Sequence, residues 1–586
     1  CGWFYTANQK DFEKIPGSPI GYWMSQKLFS HYINSELIAN ISDTRKGLAT
    51  GNNSRFIRTW QEIEFCKFNI KCQSRKESID HSKKWFPIND GGEARKWFGN
   101  NETVVNWEND GYLLSNIKTD DNKRIRATNL NLNYIFRKSL TWSQISSGRF
   151  TCRYSPVGFL FSNAGTCLFV QEDDETELLN ILGLLNSIVA KKFLEIVSPT
   201  LNYNPGEIGK IPFLKTINTS KVSDNCIQIS KAEWDSREIS WEFKTSPLID
   251  AISNENNNDI QQFESPSLVS QFTENITIQQ TYDRYKSKWS EMFFQLHRNE
   301  EELNRQFIEI YGLRDELTPD VPLEEITILQ EETSIENGEL VFHADEVFAQ
   351  FVSYAVGCMF GRYSLDKPGL ILANQGETLQ DYLEKVGRGE EELTFVPDRD
   401  NIIPVLDDEW FRDDIVERFY TFLKASFGEE NFRKNLDFVE ESLGMDIRKY
   451  FTRNFYKDHI RRYKKRPIYW MFSSPKGYFN VLVYLHRYTP DTINRILNSY
   501  LKEFIEKLKM YRTQLEHIEV EGSVSEQNKA RKEIDRINMM LEDCMEYEKE
   551  ILYPLATERI ALDLDDGVLV NYNKLGSAVA KVAGLN

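Results

Sequence analysis

The residues best suited to chemistry in this sequence are small amides, hydroxyls and guanidinium groups set beside glycine, in three runs. The first, KGLATGNNSRFIRTW (46–60), gathers Gly47, Gly51, Thr50, Asn52, Asn53 and Ser54 with Lys46, Arg55 and Arg58. The second, KKWFPINDGGEARKWFGN (83–100), offers Lys83, Lys84, Arg95 and Lys96 beside two tryptophans, Trp85 and Trp97, expected at the surface. The third, TWSQISSGRFTCRYSPVGF (141–159), adds Ser143, Ser146, Ser147, Arg149 and Arg153. Glycine lets backbone approach a ligand closely, amides and hydroxyls bond phosphate or base edges, and arginine reads guanine with two parallel hydrogen bonds. That chemistry is nucleic-acid recognition. A single glycine-and-aromatic loop is more ordinarily a turn with a packing anchor; it is the recurrence of the recipe that favours recognition.

Other chemistries lack their residues. No GxGxxG or GxxxxGK[ST] loop is present to close backbone N–H groups on a phosphate, and the nearest glycine pair, Gly357 and Gly361, reads as packing. The seven histidines (31, 81, 297, 343, 459, 486, 517) form no HExxH and no i, i+4 pair, so no metal site is expected. LDLDDG (562–567) lacks the alternating spacing of a calcium loop, and no GxSxG appears. Eight cysteines without CxxC spacing point to a reducing, cytoplasmic compartment with no disulfide framework, and no apolar stretch is long enough for a membrane span.

The net charge of −18 argues at first against a DNA surface. Its distribution reverses the argument. Residues 41–160 carry 20 basic against 12 acidic residues, and residues 446–516 carry 16 against 6. Exposed charges are screened over about 8–10 Å, so the local sign decides what each face attracts. The second tract centres on RRYKKR (461–466), in which Arg461, Arg462, Lys464 and Lys465 are candidate phosphate contacts. A scaffold role for this run stands as the alternative, because RPIYWMFSSP after it reads as a buried strand or turn.

The elements that must hold these residues read as α+β. Residues 44–215 alternate in short stretches typical of strands joined by loops, interrupted by a helix over 175–197. The amphipathic run YDRYKSKWSEMFFQLHRNEEELNRQFIEIYG is a helix stopped by Gly312, and SNENNNDIQQFESP (253–266) a loop or linker. Leu501, Phe504, Ile505, Leu508, Tyr511, Leu515 and Ile518 form one stripe; Ile534, Ile537, Met540, Leu541 and Met545 form another. With VEGSVSEQNK between them, they predict a long antiparallel helical hairpin.

Several blocks carry a resemblance. KGLATGNNSRFIRTW resembles the opening of a target-recognition domain in type IIG adenine-specific DNA methyltransferases, and SPTLNYNPGEIGKIPF (198–213) the segment that closes it. NEEELNRQFIEIYGLRDELTP, SYAVGCMFGRYSLDKPGLILANQGE, KRPIYWMFSSPKGYFNVLVYLHRYTPDTINR and LDLDDGVLVNYNKLG, in that order, resemble the PglX family of bacteriophage-exclusion (BREX) systems. The resemblance implies methylation of an adenine amine at a specific DNA site with S-adenosylmethionine, as part of phage defence. It adds Asn202 and Asn204 to the candidate DNA contacts. The family's Asn-Pro-Pro-aromatic motif is missing; SSPKGYF, GSPIGYW and NIIPVLD come nearest. The chain is therefore expected to be the C-terminal portion, inactive alone, with the cofactor bound upstream.

The implied layout is a connector (1–41), a mixed α/β target-recognition domain (42–215), a helical bracing region (216–344), a helical domain with the basic tract (345–490), and the hairpin with its tail (491–586). Expected partners are double-stranded DNA and other BREX proteins. The alternative is a protein-interaction platform that docks defence components or a DNA-mimicking phage inhibitor.

Overall fold

The computed structural model describes residues 12–13, 15–19, 24–79, 82–119, 123–146, 148–216, 218–253 and 276–585. Residues 254–266 of the expected linker lie outside them, as does Ser147. The fold is α+β, as the alternation of strand-like and helix-like runs requires. Its contacts divide the chain into two units: residues 1–60, 67–240 and 286–342, and residues 61–66, 241–285 and 343–586.

The first unit holds two four-stranded sheets. In one, the order is Ser42–Arg45, Gly165–Val170, Ser139–Ser143 and Arg153–Ser155, antiparallel throughout. In the other, Ile57–Thr59, Thr103–Asn106 and Trp85–Asn89 pair antiparallel and Leu160–Phe161 adds a parallel edge. Leu48, Phe56, Phe86, Ile88, Val105, Trp107, Phe161 and Phe169 form a shared core. Trp85 and Trp97 correct the expectation of exposed aromatics. They are 0% and 1% exposed, because an indole buries more apolar area than nearly any other side chain.

The predicted helix over 175–197 is two helices, Glu175–Leu185 and Ile188–Val197. Asn186 closes the first helix, its N–H donating to Leu182 O at 3.1 Å, while its side chain grips the backbone of Cys152, donating to its carbonyl and accepting from its N–H at 2.9 Å each. Ser187 then caps the second helix, its hydroxyl accepting from Ala190 N.

In the second unit, Tyr469–Ser473, Asn480–Tyr484 and Ile403–Pro404 make a small antiparallel sheet, so of the buried strand or turn expected after RRYKKR it is the strand that forms. The helix Ala344–Met359 is buried along almost its whole length. The hairpin is Lys502–Glu521 and Val524–Glu546, turned by Ser523, whose N–H donates to Glu526 at 2.8 Å. Its two stripes bury Phe504, Ile505, Leu508, Leu515, Ile537, Met540 and Leu541, each contributing about 1.5–3 kcal/mol. Ile518 and Met545, expected in the stripes, are exposed.

The 33-residue helix Ile278–Ile310 matches the amphipathic run. At its start Thr277 N donates to Gln280 Oε1 at 2.8 Å, and the Thr277 hydroxyl accepts from Gln280 N at 3.4 Å. This is the reciprocal arrangement that relieves a helix's first N–H groups.

Candidate nucleic-acid interface

Ser42–Arg45 and Ser139–Ser143 both run antiparallel to Gly165–Val170, so both end where that strand begins. Lys46, Gln144 and Asn163 therefore meet at one end of the sheet. The segment 201–204 joins them by pairing with the chain after Ser143: Tyr203 N donates to Gln144 O at 2.7 Å and Ser146 N to Leu201 O at 3.1 Å.

The side chains there form one polar cluster. Lys46 Nζ lies 3.2 Å from Asn204 Oδ1. Gln144, oriented to satisfy both ends of its amide, donates to Asn163 O at 2.7 Å and accepts from Lys46 Nζ at 3.1 Å. It also stands 3.2 Å from both Asn202 and Asn204. The cluster thus joins Lys46 from the first run with Asn202 and Asn204 from the closing segment. Gln144 and Asn163 were not singled out from the sequence; the signal for Gln144 was its place in TWSQISSG, between two serines that were. One ammonium among amides that both donate and accept can bond a phosphate oxygen and a base edge together.

Residues of the first run have several fates. Arg55 is exposed on the turn Asn53–Phe56, which Asn52 caps by accepting from Arg55 N at 3.2 Å. Thr50 is buried and its hydroxyl donates to Asn53. Arg58 is also buried, donating to Ser54 O and Ile57 O at 2.7 Å with its guanidinium over Trp85. Gly47 serves packing: a Cβ there would stand 1.8 Å from Phe161 O, so only glycine lets this strand end pass its neighbour.

In the second run, Lys83 and Lys84 are half-buried, the Lys84 ammonium 5.7 Å from the Trp85 ring. Arg95 and Lys96 point inward. Arg95 pairs with Glu233 and lies over Trp234, while Lys96 Nζ pairs with Glu300 at 2.6 Å. Arg237 also bonds Glu233. Burial opposes the charge on Glu233, but Arg237 and Arg95 outweigh it and hold the carboxyl down to about 2. These two cations satisfy interior carboxylates rather than face a ligand.

In the third run, Ser143 donates to Gly92 O at 2.9 Å and Ser146 to Arg149 O at 3.2 Å. Arg149 is exposed and paired with Glu325. Arg153 is 2% exposed and donates to Gly91 O at 3.2 Å; burial lowers its pKa to about 10. An interior guanidinium of this kind supports the sheet.

In the second unit, Arg461 and Arg462 both reach Glu346, as a scaffold role would have it. Lys464 and Lys465 remain exposed at φ +49° and +63°. His459 on the preceding helix, Tyr456–Arg462, is buried; its Nε2 accepts from Ile468 N and Tyr469 N at 3.1 Å each. Burial, with Arg462 and Arg362 nearby, pushes its pKa well below the usual imidazole value.

The glycine pair nearest to a cofactor loop does not fit S-adenosylmethionine. Gly357 lies inside a helix, where a Cβ would meet the Tyr363 ring at 2.5 Å, so its bareness is occupied by packing. Among the described residues no group of three His, Cys, Asp or Glu side chains could hold a metal ion, and no helix is long and apolar enough to cross a membrane.

No family model matches the chain. It is 37% identical over 585 residues to the adenine-specific methyltransferase PglX of Lacticaseibacillus casei (strain Zhang), covering 97% of this chain and 45% of that protein. It is 34% identical over 603 residues to the adenine-specific methyltransferase BrxX of Escherichia coli O9:H4 (strain HS), covering 99% and 46%. The chain thus spans somewhat under half the length of the curated relatives it matches. Across nearly all of its own residues, the chain is similar to the PglX and BrxX adenine-specific methyltransferases, and it is a PglX-like protein.

Proposed function

We propose that the first unit recognises the DNA target of an adenine-specific methyltransferase, and that the chain corresponds to the C-terminal portion of such an enzyme, with S-adenosylmethionine bound in the part outside this sequence. The observation that carries the reading is the convergence of Lys46, Gln144, Asn202 and Asn204 at one sheet end. Arg55 supplies an exposed cation in the same unit. Lys464 and Lys465 of the second unit add sequence-independent phosphate contacts. Arg95, Lys96 and Arg153 are left out, since their cationic groups serve the interior.

The test is duplex binding measured across a salt series. Affinity should fall steeply as salt rises, because phosphate contacts release counterions. A salt-insensitive signal, or unchanged affinity in a Lys46→Ala, Asn202→Ala double variant, would sink the proposal.

A second reading rests on the hairpin tip, where Val520 and Val524 are 78% and 75% exposed. Such a tip suits docking of other defence proteins. Co-purification of those proteins undiminished by Val520→Ser with Val524→Ser counts against it.

A further inference from the structure

Next to the polar cluster in the chain stands an exposed apolar side chain. Ile145 is 75% exposed and forms an antiparallel bridge with Asn202. Residues paired across such a bridge project to the same side, so Ile145 stands on the side of Asn202. The next residue along, Leu201, is 52% exposed.

The backbone that carries this bare side chain is hydrogen-bonded on both sides. Backbone bonds hold Gln144 to Tyr203 and Ser146 to Leu201 on either side of Ile145. Beneath them, Trp142 Nε1 donates to Tyr203 O at 2.9 Å, and the Phe150 ring lies 6.0 Å from Trp142 and 5.1 Å from Tyr203. A β-branched side chain has few rotamers to lose on insertion. Ile145 follows Gln144 in the chain and stands opposite Asn202 across the bridge, and both of these belong to the polar cluster, whose groups suit phosphate and base edges.

We propose that Ile145 is a wedge that enters a base step of duplex DNA and unstacks it, while Lys46, Gln144, Asn202 and Asn204 hold the adjoining backbone and base edges. Proteins that kink or open DNA use apolar side chains in this way. The proposal rests on the first unit being a DNA-recognition unit. It adds that this unit deforms the duplex as well as reading it.

A wedge is recognised by what it gains when unstacking has already been done. The test compares binding of this chain to a matched duplex and to the same duplex carrying one mismatch, in the wild type, Ile145→Ser and Ile145→Leu. The wild type and Ile145→Leu should prefer the mismatched duplex by about tenfold, and Ile145→Ser should lose that preference while keeping its salt-dependent affinity for the matched duplex. If Ile145→Ser leaves the ratio unchanged, or the wild type shows no preference, the wedge is overturned while DNA recognition stands, and Ile145 becomes a protein-contact residue. If the wild type binds neither duplex, the recognition reading itself falls, and the wedge with it. Because the side chain is exposed, the serine variant should fold as the wild type does, and an unchanged circular-dichroism melt verifies it.

Discussion

Lys96 Nζ and Glu300 Oε2 meet at 2.6 Å although 204 positions separate them in sequence, and both side chains are buried. The other carboxylate oxygen accepts from Trp97 Nε1 at 2.7 Å. Removing one partner leaves a charge stranded away from water, which costs about 3–5 kcal/mol. Lys96→Met should therefore lower the unfolding free energy by about that much, and Lys96→Met with Glu300→Gln should recover at least half. Urea denaturation reads both; a loss below about 1 kcal/mol in the single variant would refute a stabilising role.

Lys46 should behave in the opposite way. It is half-exposed and bonded to neutral amides, so Lys46→Ala should leave the urea midpoint nearly unchanged. The slope of log K against log salt should fall by about one. A Lys46→Ala protein that loses stability but keeps its salt slope would place this lysine in the scaffold.

Whether a cation is free could not be read from its own neighbourhood. The basic runs were found because composition is local, but the carboxylates that occupy Arg95 and Lys96 come 138 and 204 residues later. The long helix Ile278–Ile310 and the hairpin were legible for the converse reason, that a 3.6-residue period is written within the element itself. The break at Asn186 was hidden because its cause, the Cys152 backbone, lies 34 residues away. The polar cluster was half legible: its asparagines and lysine stood out, while Gln144 gained its meaning only when strand order brought the segments together.

His486 predicts a pH dependence. Its Nε2 donates to Ile63 O at 3.0 Å, and burial together with the Arg362 charge depresses its pKa from 6.5 to about 3. Below pH 6.5 the unfolded chain takes up a proton that the folded ring refuses, so this residue costs stability progressively as pH falls from 6.5 towards 3. His486→Gln, which can still donate to Ile63 O, should flatten that part of the stability curve. A wild-type-minus-variant difference that does not change across the window would rule this out.

Lys464 and Lys465 sit consecutively in the left-handed region. For a non-glycine residue this costs about 1–2 kcal/mol each. Lys464→Val should lower stability by about 1 kcal/mol or more, whereas Lys464→Gly should not. Duplex affinity should drop equally in both, since each removes the ammonium. A glycine variant with undiminished affinity would show that the turn serves the fold alone.

The first unit returns after an excursion, taking up residues 286–342 once the chain has passed through 241–285. During synthesis the sheets can be assembled when residue 170 has emerged, yet Lys96 and Arg95 then wait, charged and unmatched, for Glu300 and Glu233. The nascent unit should therefore stay open to chaperones and proteases until about residue 300 leaves the ribosome, and any expressed piece that stops at 240 should aggregate rather than fold.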